Sequence, residues 1–374
     1  MAEIEPIEIL RMRDIAVLMR AGAADDFVEL IEGTTWGTPG GTRYQHVNTG
    51  EKVREVPNPY FLELRKGERL MGGLCLAQRT TLSPTGDQNA FYIRYLSVMD
   101  AMQRKSTKDD AGKTSGMRAN GLLKRVLKRF FANPKELLEE TKQDHAVIFA
   151  YVELENERSQ DMTKMMGFEP IGKFSTIVFS RFFPKKDSRV RRLPISERPK
   201  METILKEAYQ DYALFSTQNL FYKDNYWVLE ENGETIAGLQ ANLIHWVITE
   251  MPGFSGKMIM NLIPRLPLLK RMFNPKKYEF VVIDGIYCKP GREKALHKLL
   301  AHACVENGVY SAIMWLDHLD PLYTRLMDYG KLGLLNKVNG DTPASIIAQF
   351  VGMSAEDIDR IKTKPRYISA FDST

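Results

Sequence analysis

Cysteine is scarce. Cys75, Cys288 and Cys304 are the only three in 374 residues, and they are too widely spaced for a disulfide framework. They point to a reducing compartment, so a cytoplasmic location is expected. Long apolar runs are also missing, and none reaches the roughly 18 residues a membrane span needs. The opening MAEIEPIEIL is acidic and lacks the basic-then-apolar pattern of a secretory signal. The six histidines show no ligand spacing, so no metal is expected. Neither sign of charge dominates. A net charge of +5 suits an anionic cofactor or a negatively charged surface, but it gives no case for nucleic acid.

What is present fits a soluble globular protein. The apolar fraction is 44% and the charged fraction 26%, in a chain long enough for two domains of ordinary size. The organising stretch begins at Phe91. FYIRYLSV, ending at Val98, reads as a buried strand. RANGLLKRVLKRFF, Arg118 to Phe131, reads as an amphipathic helix. Leu122, Leu123, Val126, Leu127, Phe130 and Phe131 share one face, and Lys124, Arg125, Lys128 and Arg129 the other. Gly121 sits where the helix should start. A strand, a glycine-containing turn and a helix N-terminus together make an anion site, because the first-turn N–H groups lack helical partners and the dipole adds positive potential. The ligand predicted on this ground is a phosphate or pyrophosphate. The same pattern also suits an ordinary packed helix.

The spacing says more. Arg118-x-x-Gly121-x-Leu123 resembles the (Gln/Arg)-x-x-Gly-x-(Gly/Ala) loop of the GNAT acyl-CoA N-acyltransferases. Leu123 departs from the final small residue, and Met99–Met117 is an insertion where that family has a short link. A second match follows. HAVIFAYV, His145 to Val152, reads as the next strand, and Glu155–Gly172 resembles the family's Asn-Glu-Arg-Ala, helix, Gly-Phe, strand segment. Asn156, Ser159, Gly167 and Phe168 fall in register without a gap. The Met162, Met165 and Met166 stripe is read as core.

In chain order, Ile7–Leu10 reads as a strand and Arg13–Ala21 as a helix. Glu32–Asn58 reads as a long loop, either a connector or, on the family pattern, a cover for the acceptor site. Tyr60–Arg65 and Leu70–Thr80 read as a hairpin turning on Lys66–Arg69. Gln103–Gly116 is nearly free of apolar residues and reads as a solvated loop whose Arg104, Lys105, Lys108 and Lys113 could reach a nucleotide. Lys173–Phe183 is a further strand. Composition then shifts in the basic stretch Pro184–Lys200, which sets expected domains at 1–184 and 201–374 with a linker at 185–200.

The second half repeats the order of elements. Ser196 is placed to cap a helix carrying Met201, Ile204, Leu205, Ala208, Tyr209 and Tyr212 on one face. Tyr226–Glu230 and Thr235–Ala241 form a hairpin around Asn232-Gly233. Tyr278–Tyr287 is the next central strand. Leu296, Leu299, Leu300 and Ala303 mark a helix, Ser311–Leu316 a strand, and Asp320-Pro321 a capped helix start. The anion turn is reduced to Pro290-Gly291-Arg292. Met251–Lys277 is an insertion of apolar residues interspersed with Lys257, Arg265, Lys270, Arg271, Lys276 and Lys277, and Pro264 and Pro267 break any long helix there. It reads as a cap over the core, a cover for a long acyl chain, or a peripheral membrane contact.

The resemblance implies an α/β (α+β) fold of two tandem GNAT-like domains, each a mixed, mostly antiparallel sheet flanked by helices, the second degenerate. It implies transfer of an acyl group, acetyl by default, from acetyl-CoA or another acyl-CoA to a small-molecule or peptide amine. The alternatives are a non-catalytic acyl-CoA-binding protein and a tandem-GNAT aminoacyl or long-chain acyl transferase. By the same resemblance, cofactor contacts fall on Leu96, Ser97, Val98, Arg118, Ala119, Asn120, Gly121, Leu122, Leu123, Asn156 and Ser159. The family's thiolate-protonating tyrosine aligns with Thr163, a much weaker acid. No Asp or Glu lies between Phe91 and Val98, so no general base is readable.

Overall fold

The computed structural model describes residues 5–84, 86–99, 125–340 and 342–373. Arg118–Leu123 and the basic stretch 103–116 lie outside them. The described chain builds one sheet of 14 strands. They are β1 (Ile7–Met12), β2 (Ile15–Arg20), β3 (Arg43–His46), β4 (Pro59–Lys66), β5 (Arg69–Thr81), β6 (Gln88–Val98), β7 (Ala146–Glu153), β8 (Glu169–Ser180), β9 (Val190–Arg192), β10 (Tyr226–Glu231), β11 (Glu234–Glu250), β12 (Tyr278–Cys288), β13 (Ser311–Asp317) and β14 (Pro343–Val351). Their order is β1-β2-β4-β5-β6-β7-β14-β8-β13-β12-β11-β10-β9, with β3 attached to β11. Pairing is antiparallel except for β6 with β7 and β12 with β13. This is the expected α/β class with mostly antiparallel pairing.

The two halves are interleaved at the centre. β14, from the end of the chain, lies between β7 and β8. β8, from the first half, pairs with β13 of the second. Arg366 helps to lock this junction. Its guanidinium binds Asp317 at 2.6 and 3.1 Å and donates to the Ile171 carbonyl at 2.8 Å. A Cβ on Gly172 would lie 2.6 Å from that guanidinium, so only glycine leaves it room.

Strand alternation gives the sheet two buried faces. On the back, Phe91, Ile148 and Ile347 pack with Val126, Leu127, Phe130 and Phe131 of the helix at 125–132. Arg125, Lys128 and Arg129 are exposed, as the amphipathic pattern requires. Further along the back, Val281, Ile283 and Met314 pack against Leu296, Leu299, Leu300 and Ala303 of the helix Glu293–Glu306. On the front, Tyr92, Phe149, Ile346 and Phe174 meet the helix Asp25–Glu32 and the segment around Ile368.

Several expectations are corrected. Arg13–Ala21 is not a helix. Arg13 adopts φ +58° in a turn after β1, and Ile15–Arg20 is β2, paired on both sides. A five-residue apolar run, Ile15–Met19, has too little length for its period to distinguish the two states. Glu32–Asn58 is not all loop, since it contains β3 and the short helix Gly50–Arg54. Met166 is buried and Met162 packs on the core, but Met165 is exposed. Glu197, not Ser196, precedes the helix Arg198–Ala208, and Ala208 is exposed. Within 185–200, Val190–Arg192 form the edge strand β9. Arg189 binds Asp187 and Glu231, and Arg191 binds Glu197 and Glu230.

Candidate active site

β6 and β7 are paired at only three positions, Ala90–Val147, Phe91–Ile148 and Tyr92–Phe149. Beyond them the strands diverge. β7 stays paired with β14 through Glu153, while β6 runs on to Val98 against β5 alone. The cause lies in β6, where the register with β5 slips between Cys75–Arg94 and Gly73–Ser97 and Tyr95 takes φ +57°. A bulge of this kind bends a strand and re-aims its edge. Beyond Tyr92 the two strands share no ladder pair among the described residues, which leaves a wedge between them.

The expected cofactor residues divide into three groups. Leu96, Ser97 and Val98 lie on the diverging end of β6. Leu96 is exposed, and the Ser97 hydroxyl lies 2.6 Å from that of Thr34. These three also border an apolar hollow with Val17, Leu62, Leu74 and Leu127. Asn156 caps the helix Glu157–Met165, its Oδ1 accepting from the Ser159 amide at 3.0 Å. Arg118, Ala119, Asn120, Gly121, Leu122 and Leu123 lie outside the described residues. Thr163 donates its hydroxyl to the Gln160 carbonyl of its own helix at 3.0 Å, a local bond that occupies its proton.

The second half repeats the divergence. β12 and β13 pair only at Val281–Ala312 and Val282–Ile313, and Gly285, three residues beyond the last pair, has φ +54°. Here the gap is occupied by the chain itself. The Tyr367 hydroxyl accepts from the Gly285 amide at 3.1 Å, and Ser369 donates to Asp284 at 2.5 Å. A small cavity remains, bordered by Asp284, Trp315, Asp317, Asp320, Arg366 and Tyr209.

Between the two gaps, aromatic rings line the front of the sheet. Tyr92 to Tyr151, Tyr151 to Phe174 and Phe174 to Trp315 are 5.0, 4.9 and 5.1 Å apart between centroids. The buried Tyr151 hydroxyl has no hydrogen-bond partner among the described residues. Asp372 and Asp284 are two of the carboxylates buried here. Asp372 accepts from Arg79 at 2.8 Å and lies 3.9 Å from Arg94, which also donates to the Tyr95 hydroxyl at 2.7 Å. Asp284 accepts from Ser369, Tyr367 and the Gly285 amide. Burial pushes its carboxyl up to about 6, against the pull of those donors. Residues 36–54 strap this face. Thr38 donates its amide to Glu153 at 3.1 Å, β3 pairs with β11, and Tyr44 stacks on Trp246 at 4.0 Å. Beneath the strap, burial, with Arg94 and Lys223 nearby, lowers the Lys52 ammonium to about 8.

No family model and no curated protein matches the sequence. Solved structures do match. One of Saccharomyces cerevisiae N-myristoyltransferase with bound myristoyl-CoA and inhibitors aligns over 97% of this chain and 88% of its own, at TM-score 0.54 and 11% identity. A second structure of that enzyme, with myristoyl-CoA, aligns over 96% and 90%, at TM-score 0.51 and 10% identity. This is the tandem GNAT fold. In the tandem GNAT fold the diverging central strands of each half become recognisable as one device used twice. Asp372, Arg79, Arg94, Tyr367 and Ser369 escaped the sequence reading. They come from two distant stretches, Arg79 and Arg94 on β5 and β6 and the other three at 367–372, and no motif links the two.

Proposed function

We propose that the chain transfers an acyl group from acyl-CoA to an amine. Residues 1–184 would hold the donor, 201–374 would shape the acceptor side, and 185–200 would mark the boundary. One observation carries the reading: the divergence of β6 from β7 beyond Tyr92, at the bulge around Tyr95. Pantetheine would enter that wedge and bond to strand backbone. Backbone N–H groups near Leu96–Val98 would face the thioester carbonyl as its charge develops. Arg118–Leu123 would take the pyrophosphate, and Asn156 and Ser159 would border the same groove.

The amine must lose a proton as the C–N bond forms and the C–S bond breaks. Water in the site would take it up. The acceptor would be a small-molecule or peptide amine entering under the strap at 36–54.

A second reading, binding of acyl-CoA without catalysis, is favoured by Thr163, whose hydroxyl is already engaged by its own helix. Thiol release measured with acyl-CoAs of increasing length and a panel of amines and N-terminal peptides separates the two. Acceptor-dependent release supports transfer. Tight CoA binding without acceptor-dependent release for any pair supports the second reading, and absence of CoA binding overturns both.

A further inference from the structure

Residues 251–277 form two short helices, Gly253–Leu262 and Pro267–Met272, joined by a 3-10 turn at Ile263–Arg265. The prolines impose this break, as their missing N–H groups and fixed φ require. The inner side has an ordinary structural role. Met251, Ile259, Met260 and Ile263 pack on the front of β11 and β12, around Ile244, Ile248, Phe280 and Val282.

The outer side does not look like the outside of a surface helix. Met258, Leu262, Leu266 and Leu268 are each between 42% and 48% exposed. Solvent-facing positions of such a helix are normally polar, so a second apolar side needs an occupant. The charge around it indicates which. Residues 251–277 hold six cations, Lys257, Arg265, Lys270, Arg271, Lys276 and Lys277, and no Asp or Glu. That exceeds the net charge of the whole chain, +5. All six are exposed. Lys277 pairs with Glu279 at 3.0 Å. The other five have no carboxylate within ion-pair distance among the described residues. Of the seven cations in 185–200, four differ: Lys186, Arg189, Arg191 and Arg198 have acidic partners.

We infer that residues 251–277 dock this protein on the surface of an anionic lipid bilayer. Exposed leucines and a methionine flanked by unpaired cations match both layers of such a surface. The apolar side chains enter the acyl boundary, while lysine and arginine reach anionic headgroups. Among the described residues no helix is long and apolar enough to cross a membrane, so the contact lies on the surface. The inference is independent of the acyl-transfer reading, because vesicle binding requires neither CoA nor turnover.

The test is co-sedimentation of the full chain with vesicles of phosphatidylcholine alone and with about a third phosphatidylglycerol. Binding is expected only to the anionic vesicles, and it should weaken at about 0.5 M salt. Lys270→Glu with Arg271→Glu should lower the partition coefficient at least about tenfold. Leu262→Glu with Leu266→Glu should do the same without altering the circular dichroism spectrum, since both side chains are exposed. The charge-matched control, Lys185→Glu with Lys364→Glu, should bind nearly as wild type. Equal binding to neutral vesicles, or no binding to anionic ones, overturns the inference. A concentration-dependent dimer abolished by Leu262→Glu with Leu266→Glu, without vesicle binding, would give the face to a second copy of the chain instead.

Discussion

The hydroxyl of Tyr367 donates to Asp284 and accepts the amide proton of Gly285 at 3.1 Å. It thus engages the bulged strand of the second half at the position matching the bulge of the first, where Tyr95 stands three residues past the last parallel pair. The two gaps arise from the same strand geometry and differ in what fills them. The asymmetry predicts how many cofactors bind.

One acyl-CoA is expected per chain. Titration calorimetry should give a single site. Gly121→Asp, which sets a carboxylate against the expected pyrophosphate, should remove that site while leaving the melting curve unchanged. Two sites, or one site unaffected by Gly121→Asp, would show that the second gap opens.

Thr163→Val should reduce acyl transfer by less than about tenfold, a barrier change under about 1.4 kcal/mol. Among the described residues, the hydroxyl it removes bonds the Gln160 carbonyl of its own helix. A loss of a thousandfold in single-turnover transfer would make Thr163 the proton donor to the thiolate.

Asp284 should leave a signature in stability against pH. Burial raises its carboxyl from the ordinary 3.8 to about 6. The folded chain therefore keeps this proton at pH values where the unfolded chain has lost it. The resulting stabilisation is complete below about pH 4 and fades as pH rises through 6. Relative to Asp284→Asn, wild type should lose up to about 3 kcal/mol between pH 4 and 7. Urea unfolding across that range measures the difference, and a flat difference refutes the assignment.

Arg366→Met should be strongly destabilising. It leaves Asp317, fully buried, without its cation, and loss of one member of such a pair costs about 3–5 kcal/mol. Gly172→Ala should act on the same contact from the other side, by crowding the guanidinium. Denaturant midpoints for both variants, with an unchanged spectrum at low denaturant, check this. A change within about 0.5 kcal/mol would show that the junction does not rely on the pair.

Much of the strand order was legible because it depends on local patterns. The hairpin turning at Lys66–Arg69, the strand at Phe91 and the Asp320-Pro321 helix start are legible from neighbouring residues, and the chain folds that way at each. Arg13–Ala21 was misread because five apolar residues carry no decisive period. The site was less legible. Arg79 meets Asp372 across almost the whole chain, and Asp284 is held by Tyr367 and Ser369 from a segment with no motif. Such contacts follow from where β14 inserts. No periodicity in Pro343–Val351 says that its neighbours will be β7 and β8.

That insertion has a consequence for synthesis on the ribosome. By the time residue 180 has emerged, β7 and β8 both exist, but the strand that separates them will not be made until residue 343. For most of translation the nascent chain has apolar strands on either side of an empty place in its sheet. Unpaired apolar edges of this kind invite aggregation. The first half must therefore wait, shielded or only partly folded, until Pro343–Val351 arrive.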